Sequence, residues 1–181
     1  MKGAENEKRQ LHIGGTMPAQ GWEILNALPG PYVDHIGNAK DLTRFPEKTF
    51  DIIYASHVLE HFDYRNELSS VLKDWFRVIK PKGKLYISVP DLDVLSRLFI
   101  DKNRLTLDER FLVMRMIFGG HCDDYDYHYV GFNYEFLYDY LINAGFGSVE
   151  KVDEFYIFKD TSSLKFKGEF ISLNVIANKS E

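Results

Sequence analysis

Apolar residues in this chain gather into short runs that alternate with helical spacings. Leu11, His12 and Ile13 form a β-type run closed by Gly14 and Gly15. Residues 22–25 form a second, and residues 32–36 a third, bounded by Pro31 and Gly37. Residues 50–55 (FDIIYA) are almost continuously apolar, the pattern of a strand covered on both faces in a parallel sheet. Leu68, Val71, Leu72, Trp75, Phe76 and Ile79 then recur at helical spacing and predict an amphipathic helix. Pro81 and Gly83 are its expected stop. Leu85, Ile87 and Val89 alternate with Lys84, Tyr86 and Ser88, which predicts a strand ending at Pro90.

The second half reads the same way. Residues 91–99 predict a short helix carrying Leu92, Leu95, Leu98 and Phe99, with Asp91 and Asp93 placed to cap it. Thr106 and Glu109 have the spacing of a capping box, and Gly119–Gly120 ends the helix that follows. Asn133 is the expected N-cap of a helix burying Phe136, Leu137, Tyr140 and Leu141, closed by Gly145. Residues 149–158 and 170–177 predict a closing strand pair. Strands interleaved with helices imply an α/β fold on a mostly parallel, Rossmann-like sheet. The length suits one domain over 1–181, with a helical insert at about 91–132. Ligands of such sheets bind beyond the carboxyl ends of the strands, so the loops after Ile13, Leu25, Ile36, Ala55 and Val89 are the ones to inspect.

Composition narrows the function classes. A 45% apolar and 27% charged chain with 14 Phe and 11 Tyr is ordinary for a globular protein and too aromatic for a disordered one. Its 27 carboxylates and 22 Lys and Arg residues give a net charge of −5, and no basic stripe breaks the excess. No nucleic-acid partner is therefore expected. Residues 1–10 are charged without an apolar core, and no run approaches membrane-spanning length, so neither a leader nor a membrane partner is expected. The lone Cys122 allows no internal disulfide and agrees with a reducing cytoplasm.

Gly14, Gly15 and Thr16 follow the first strand, where glycine lets a ligand approach the backbone. The dinucleotide fingerprint would need glycines at 14, 16 and 19; the chain has Gly14, Thr16 and Ala19, and no phosphate-binding P-loop occurs elsewhere. LHIGGT, GWEILN, VDHIGNAKDL, FDIIYASHVLEHF, LKDWFRVIKPKGKLYISVPDLDVL and ISLNVIANK occur in this order. Together they resemble short bacterial methyltransferase-domain proteins of the class I, S-adenosylmethionine-dependent type (type 11-like), often associated with cell-surface glycan genes. FDIIYASHVLEHF followed by RVIKPKGKLYISVPD is the specific part, and the resemblance runs from Leu11 to Lys179.

The resemblance implies a seven-stranded sheet with an antiparallel last strand and S-adenosylmethionine lying across the loops after the first four strands. It implies cofactor contacts from Gly14, Gly15, Thr16, Asn26, Asn38, Ala39, Ser56 and His57. Three of these differ from the family pattern. Gly14–Gly15–Thr16 replaces Gly-Cys-Gly, Asn26 stands where a carboxylate holds the ribose, and Asn38 where one approaches the adenine amino group. An amide oxygen still accepts a hydrogen bond but loses charge assistance, about 1 kcal/mol per bond, so two losses weaken binding about 30-fold. On that reasoning Asn26→Asp is expected to tighten binding if residue 26 faces the ribose.

HVLEH at 57–61 matches the H-x-x-E-H pattern of inverted zinc peptidases. It directly follows a buried strand, where two histidines are not expected to converge on one ion, so no metal is expected; Glu60 and His61 read as structural. His12 reads as a packed histidine. GGHCDDYDYHYVGF at 119–132 reads either as a solvated acidic loop with packed tyrosines or as an acceptor lid. In the lid reading His128 is the first candidate for general base and His121 the second, because imidazole titrates near neutrality. The expected activity is methyl transfer to oxygen or nitrogen of a small-molecule or glycan-linked acceptor. Two alternatives stay open: a non-catalytic methyltransferase-like binding protein, and a metal-dependent hydrolase using His57 and His61 or His121 and His128.

Overall fold

The computed structural model describes residues 8–181; the reading of residues 1–10 falls largely outside them. Among the described residues nine strands and four α-helices follow in chain order. They are β1 (Gln10–Ile13), β2 (Trp22–Asn26), β3 (His35–Ile36), β4 (Phe50–Ser56), α1 (Leu68–Val78), β5 (Ile79–Pro90), α2 (Leu92–Ile100), α3 (Leu107–Phe118), α4 (Tyr134–Ala144), β6 (Ser148–Val152), β7 (Lys165–Phe166), β8 (Glu169–Phe170) and β9 (Ser172–Asn178). Seven strands make one sheet in the order β3-β2-β1-β4-β5-β9-β6, and β7 pairs with β8 as a separate hairpin. β1 through β5 run parallel to one another, and β9 is antiparallel to both β5 and β6. This is the expected mostly parallel sheet with an antiparallel last strand.

Alternation along each strand sends side chains to two different covers. Leu11, Ile13, Ile53, Ala55, Leu85, Ile87, Val89, Leu173 and Val175 join one buried cluster with Leu72 and Trp75 of α1 and Leu137 and Leu141 of α4. The opposite face carries His12, Tyr54 and Tyr86. It is covered by irregular chain and one 3-10 turn (Thr161–Ser163) rather than by an α-helix: Phe158 lies 4.2 Å from the His12 ring and 4.7 Å from Tyr54, and Phe155 lies 5.4 Å from Tyr86. The Tyr54 hydroxyl contacts Asp160 at 2.8 Å, and the Asn174 amide donates to the carbonyls of Asp153 and Ser162. His12 is thus packed as expected. The strand expected over 149–158, however, ends at Val152; the aromatic residues beyond it serve as this cover instead.

Two further boundaries differ from the sequence reading. Ile79 is the first residue of β5, not the last of α1, and pairs with Phe50. Pro81 disfavours helical geometry in the residue before it, and Ile79 is already extended. Of residues 32–36 only His35 and Ile36 form a strand. The caps are as expected. Asp91 accepts from the backbone of Asp93 and Val94, Thr106 and Glu109 close a reciprocal capping box, Asn133 accepts from Phe136, and Gly145 ends α4 in a left-handed conformation.

Two features position the site. The link from β3 to β4 contains no helix and is tied to α1 by side chains instead. Trp75 donates to the Ala39 carbonyl at 2.7 Å, and Arg77 donates to the carbonyls of Leu42 and Phe45. In the insert, α2 and α3 share a small buried cluster of Leu95, Leu98, Leu105 and Val113 with Ile171. The loop after α3 returns to the sheet, where Tyr129 donates to the Glu60 carbonyl and Leu92 to the Phe132 carbonyl.

Candidate functional site

A cavity of about 540 Å³ opens at the carboxyl ends of β1, β2 and β4. One wall comes from the loops after the strands: Gly14, Asn26, Leu28, Asn38, Ala39, His57, Val58 and His61. The other comes from the insert: Asp124, Tyr125, Tyr127 and Tyr129. Gly14 sits at φ +79°, and a Cβ there would lie 2.7 Å from Val58. Both the backbone conformation and the close approach require glycine. Gly15 is tight for another reason: a Cβ there would meet the His12 ring.

Asn26 lines the cavity with its carboxamide already committed. Its Nδ2 donates to the carbonyls of Gly15 at 3.1 Å and Gly14 at 3.3 Å, and its Oδ1 accepts from Leu28 N–H at 3.0 Å. Asn38 opens a turn by accepting from Lys40 N–H. Lys40 pairs with Glu67 at 3.1 Å along the rim. Asp63, also at the cavity, accepts from the N–H groups of Arg65 and Asn66.

The segment after β4 is the most unusual part. His57 is held at φ +54°, an uncommon conformation for a residue with a side chain. Its N–H donates to the Ser88 carbonyl, and its Nε2 lies 2.9 Å from the Ser172 hydroxyl. Its Nδ1 approaches Glu60 Oε1 at 3.2 Å. Glu60 is fully buried, and neither of its carboxylate oxygens has a hydrogen-bond partner among the described residues. Burial alone would raise the Glu60 pKa. The close approach of His57, with His61 and His128 beyond it, brings it below the ordinary value.

Of the residues expected to bind the cofactor, Gly14, Asn26, Asn38, Ala39 and His57 line the cavity. Gly15, Thr16 and Ser56 are not among the lining residues. His128, the first candidate base, lies one layer behind the wall. Its side chain is 10% exposed, its ring centroid is 4.9 Å from that of His61, and its Nδ1 donates to the Ile117 carbonyl at 3.2 Å. Burial lowers its pKa, and the nearby Glu60 charge offsets this only partly. His121 stacks on Tyr127 at 4.1 Å and is hydrogen-bonded to the Phe118 carbonyl.

Besides His57, the imidazole that reaches the cavity is that of His61, which the sequence pattern marks as structural. Its Nδ1 donates to the Tyr127 carbonyl at 3.0 Å. Leu59 and Glu60 are buried while His61 is half-exposed.

Residues 25–87 match the family model of the methyltransferase domain, a span from β2 into β5. No curated protein matches the chain. Among solved structures, an S-adenosylmethionine-dependent methyltransferase from Archaeoglobus fulgidus is similar with TM-score 0.59 and 17% identity, over 96% of this chain and 87% of that one. One from Thermotoga maritima gives TM-score 0.53 and 17% identity, over 96% and 83%. A possible exported protein from Bordetella parapertussis gives TM-score 0.56 and 12% identity; the alignment covers 97% of this chain and 64% of that protein. No helix among the described residues is long and apolar enough to cross a membrane.

Proposed function

We propose that this chain is a class I S-adenosylmethionine-dependent methyltransferase that methylates oxygen or nitrogen of a small or glycan-linked acceptor, a reading supported by the family-model match over residues 25–87 and by the sheet topology. The observation that carries this reading is the two-walled cavity at the carboxyl ends of β1, β2 and β4. Its volume is in the range of small-ligand sites. Ile13, Leu25, Leu28, Ala39, Val58 and Phe62 supply apolar surface for an adenosyl group. Gly14 supplies an unobstructed backbone. The residues present fit the cofactor in size and apolar lining, while Asn26 offers the ribose only the remaining lone pair of Oδ1. When bound, S-adenosylmethionine supplies an electrophilic methyl group on a sulfonium.

The protein's own work is orientation and proton handling. Tyr125, Tyr127 and Tyr129 present half-exposed rings and hydroxyls, and Asp63 and Asp124 present carboxylates. Such a wall suits a polyhydroxyl acceptor, whose O–H groups need acceptors. With Nδ1 bonded to the Tyr127 carbonyl, the Nε2 of His61 is left with a free lone pair. His61 is therefore the imidazole we assign to the acceptor's proton, with His128 packed behind it.

Calorimetry with S-adenosylmethionine and with its demethylated product tests the reading. Saturable heat with a micromolar to sub-millimolar Kd is expected. No heat and no thermal shift at millimolar cofactor would overturn the reading in favour of a non-catalytic binding protein.

A further inference from the structure

Glu60, His61 and His128 come from two distant stretches of sequence, yet one ligand atom from each lies within 4.8 Å of the others. We infer that these three residues form a binding site for a divalent transition metal. Three independent features support this. First, Glu60 is fully buried; His57 Nδ1 approaches its Oε1 at 3.2 Å without hydrogen-bond geometry, and its Oε2 has no partner among the described residues. A buried carboxylate left so is costly unless a cation or donor meets it.

Second, both imidazoles are oriented from behind. His61 gives its Nδ1–H to the Tyr127 carbonyl, and His128 gives its Nδ1–H to the Ile117 carbonyl. Each tautomer is thereby fixed with a lone pair on Nε2, and His128 Nε2 lies 4.0 Å from Glu60 Oε1. A carbonyl bond to the non-ligating nitrogen is how metal-binding histidines are ordinarily held. Third, the backbone is stitched at the same place: Tyr129 donates to the Glu60 carbonyl, so the loop bearing His128 is registered on the turn bearing Glu60 and His61.

Two imidazole nitrogens and one carboxylate suit zinc, cobalt, iron(II) or nickel rather than calcium or magnesium. The ligand atoms would draw in by about 1 Å to reach bonding distance, a side-chain adjustment. Three protein ligands leave coordination open. His61 also lines the cavity, so the site lies beside the space where an acceptor would enter. With metal bound, His61 would serve as a ligand rather than as the base; the metal would acidify an acceptor O–H or N–H bound to it, and the proton would pass to solvent water. That use rests on the methyl-transfer reading; metal binding itself does not.

The test uses the full chain, stripped with chelator and titrated without cofactor. Zn²⁺ is followed by calorimetry and thermal shift, and Co²⁺ by its visible ligand-field bands. One equivalent should bind, and His61→Ala and His128→Ala should each weaken binding about 100-fold or more. His121→Ala, in the same loop but outside the site, should leave it unchanged. Glu60→Gln keeps the shape and removes the buried charge. It should melt no lower than the metal-free parent and gain nothing from Zn²⁺. Absence of cobalt bands and zinc stabilisation in the folded parent would overturn the inference. So would binding that survives His61→Ala with His128→Ala, or that is lost equally in His121→Ala. Cofactor heat measured on the same stripped protein reports separately on methyl transfer, so failure of one reading is distinguishable from failure of the other.

Discussion

The Asn26 carboxamide clasps the backbone of Gly15: its Nδ2 donates to that carbonyl at 3.1 Å, and to Gly14 just beyond at 3.3 Å. The residue that the family pattern uses to hold a ribose is here holding the first loop. Its amide is a tie between the ends of β1 and β2, and the tie needs N–H donors.

This reverses the expectation for Asn26→Asp. A carboxylate has no N–H to give and would face two carbonyl oxygens. The variant should lose about 1–2 kcal/mol of stability and bind S-adenosylmethionine no more tightly than the parent. Denaturant titration alongside calorimetry checks both; tighter binding at unchanged stability would show that the side chain turns to the ligand.

Gly14→Ala should be severely disruptive at this loop. The position combines φ +79° with a Cβ-to-Val58 separation of 2.7 Å. A loss of about 1–3 kcal/mol is expected from the backbone conformation and the contact together, with cofactor binding lost even where the protein stays folded. Gly168→Ala, at φ +84° with open space around it, provides the comparison: it should lose less stability and keep the site.

His12 gives the fold a defined acid sensitivity. Burial against Tyr54 and Phe158 pushes its pKa down to about 4, and the Asp160 charge offsets this only in part. The unfolded chain binds a proton near the ordinary histidine pKa, the folded chain only near 4. Between these values the unfolded state holds more protons, so the contribution of His12 is complete above about pH 6.5 and disappears by about pH 4. The loss amounts to about 3 kcal/mol. Unfolding free energies compared at about pH 7 and about pH 4.5 should show a smaller difference in His12→Gln than in the parent.

His61 and His128 should separate from His121 in turnover. Once an acceptor is supplied, His61→Ala should lower kcat about 100-fold or more, the scale of losing a proton-transfer group. His128→Ala should also lower kcat, because its ring supports that of His61. His121→Ala, whose ring stacks on Tyr127, should act mainly on acceptor KM. Cofactor Kd should stay nearly constant in all three. A His121 effect on kcat as large as that of His61 would reassign the proton-handling group.

Local patterns were legible in the sequence because they depend on neighbours in the chain. Alternation at Leu85, Ile87 and Val89 marks the face of a strand, and the caps at Asp91, Thr106, Asn133 and Gly145 satisfy backbone groups a few residues away. The same logic put the ligand loops after β1, β2 and β4, where the cavity lies. Boundaries set by competition were less legible: Ile79 fits a helical face, but pairing with Phe50 takes it into β5.

Only the tertiary structure decided what distant segments do to one another. Phe155 and Phe158 look like strand residues by composition, yet they cover the sheet face over Tyr54 and His12, where no α-helix among the described residues packs. Asn26 reads as a weakened ribose ligand until the carbonyls of Gly14 and Gly15 are seen beside it. HVLEH carries two histidines but not the third, His128, which is 67 residues beyond His61 in the numbering and joins Glu60 only when the insert folds back. Periodicity encodes which face of an element is buried; it does not encode which remote side chain meets that face, because packing, not sequence spacing, sets that distance.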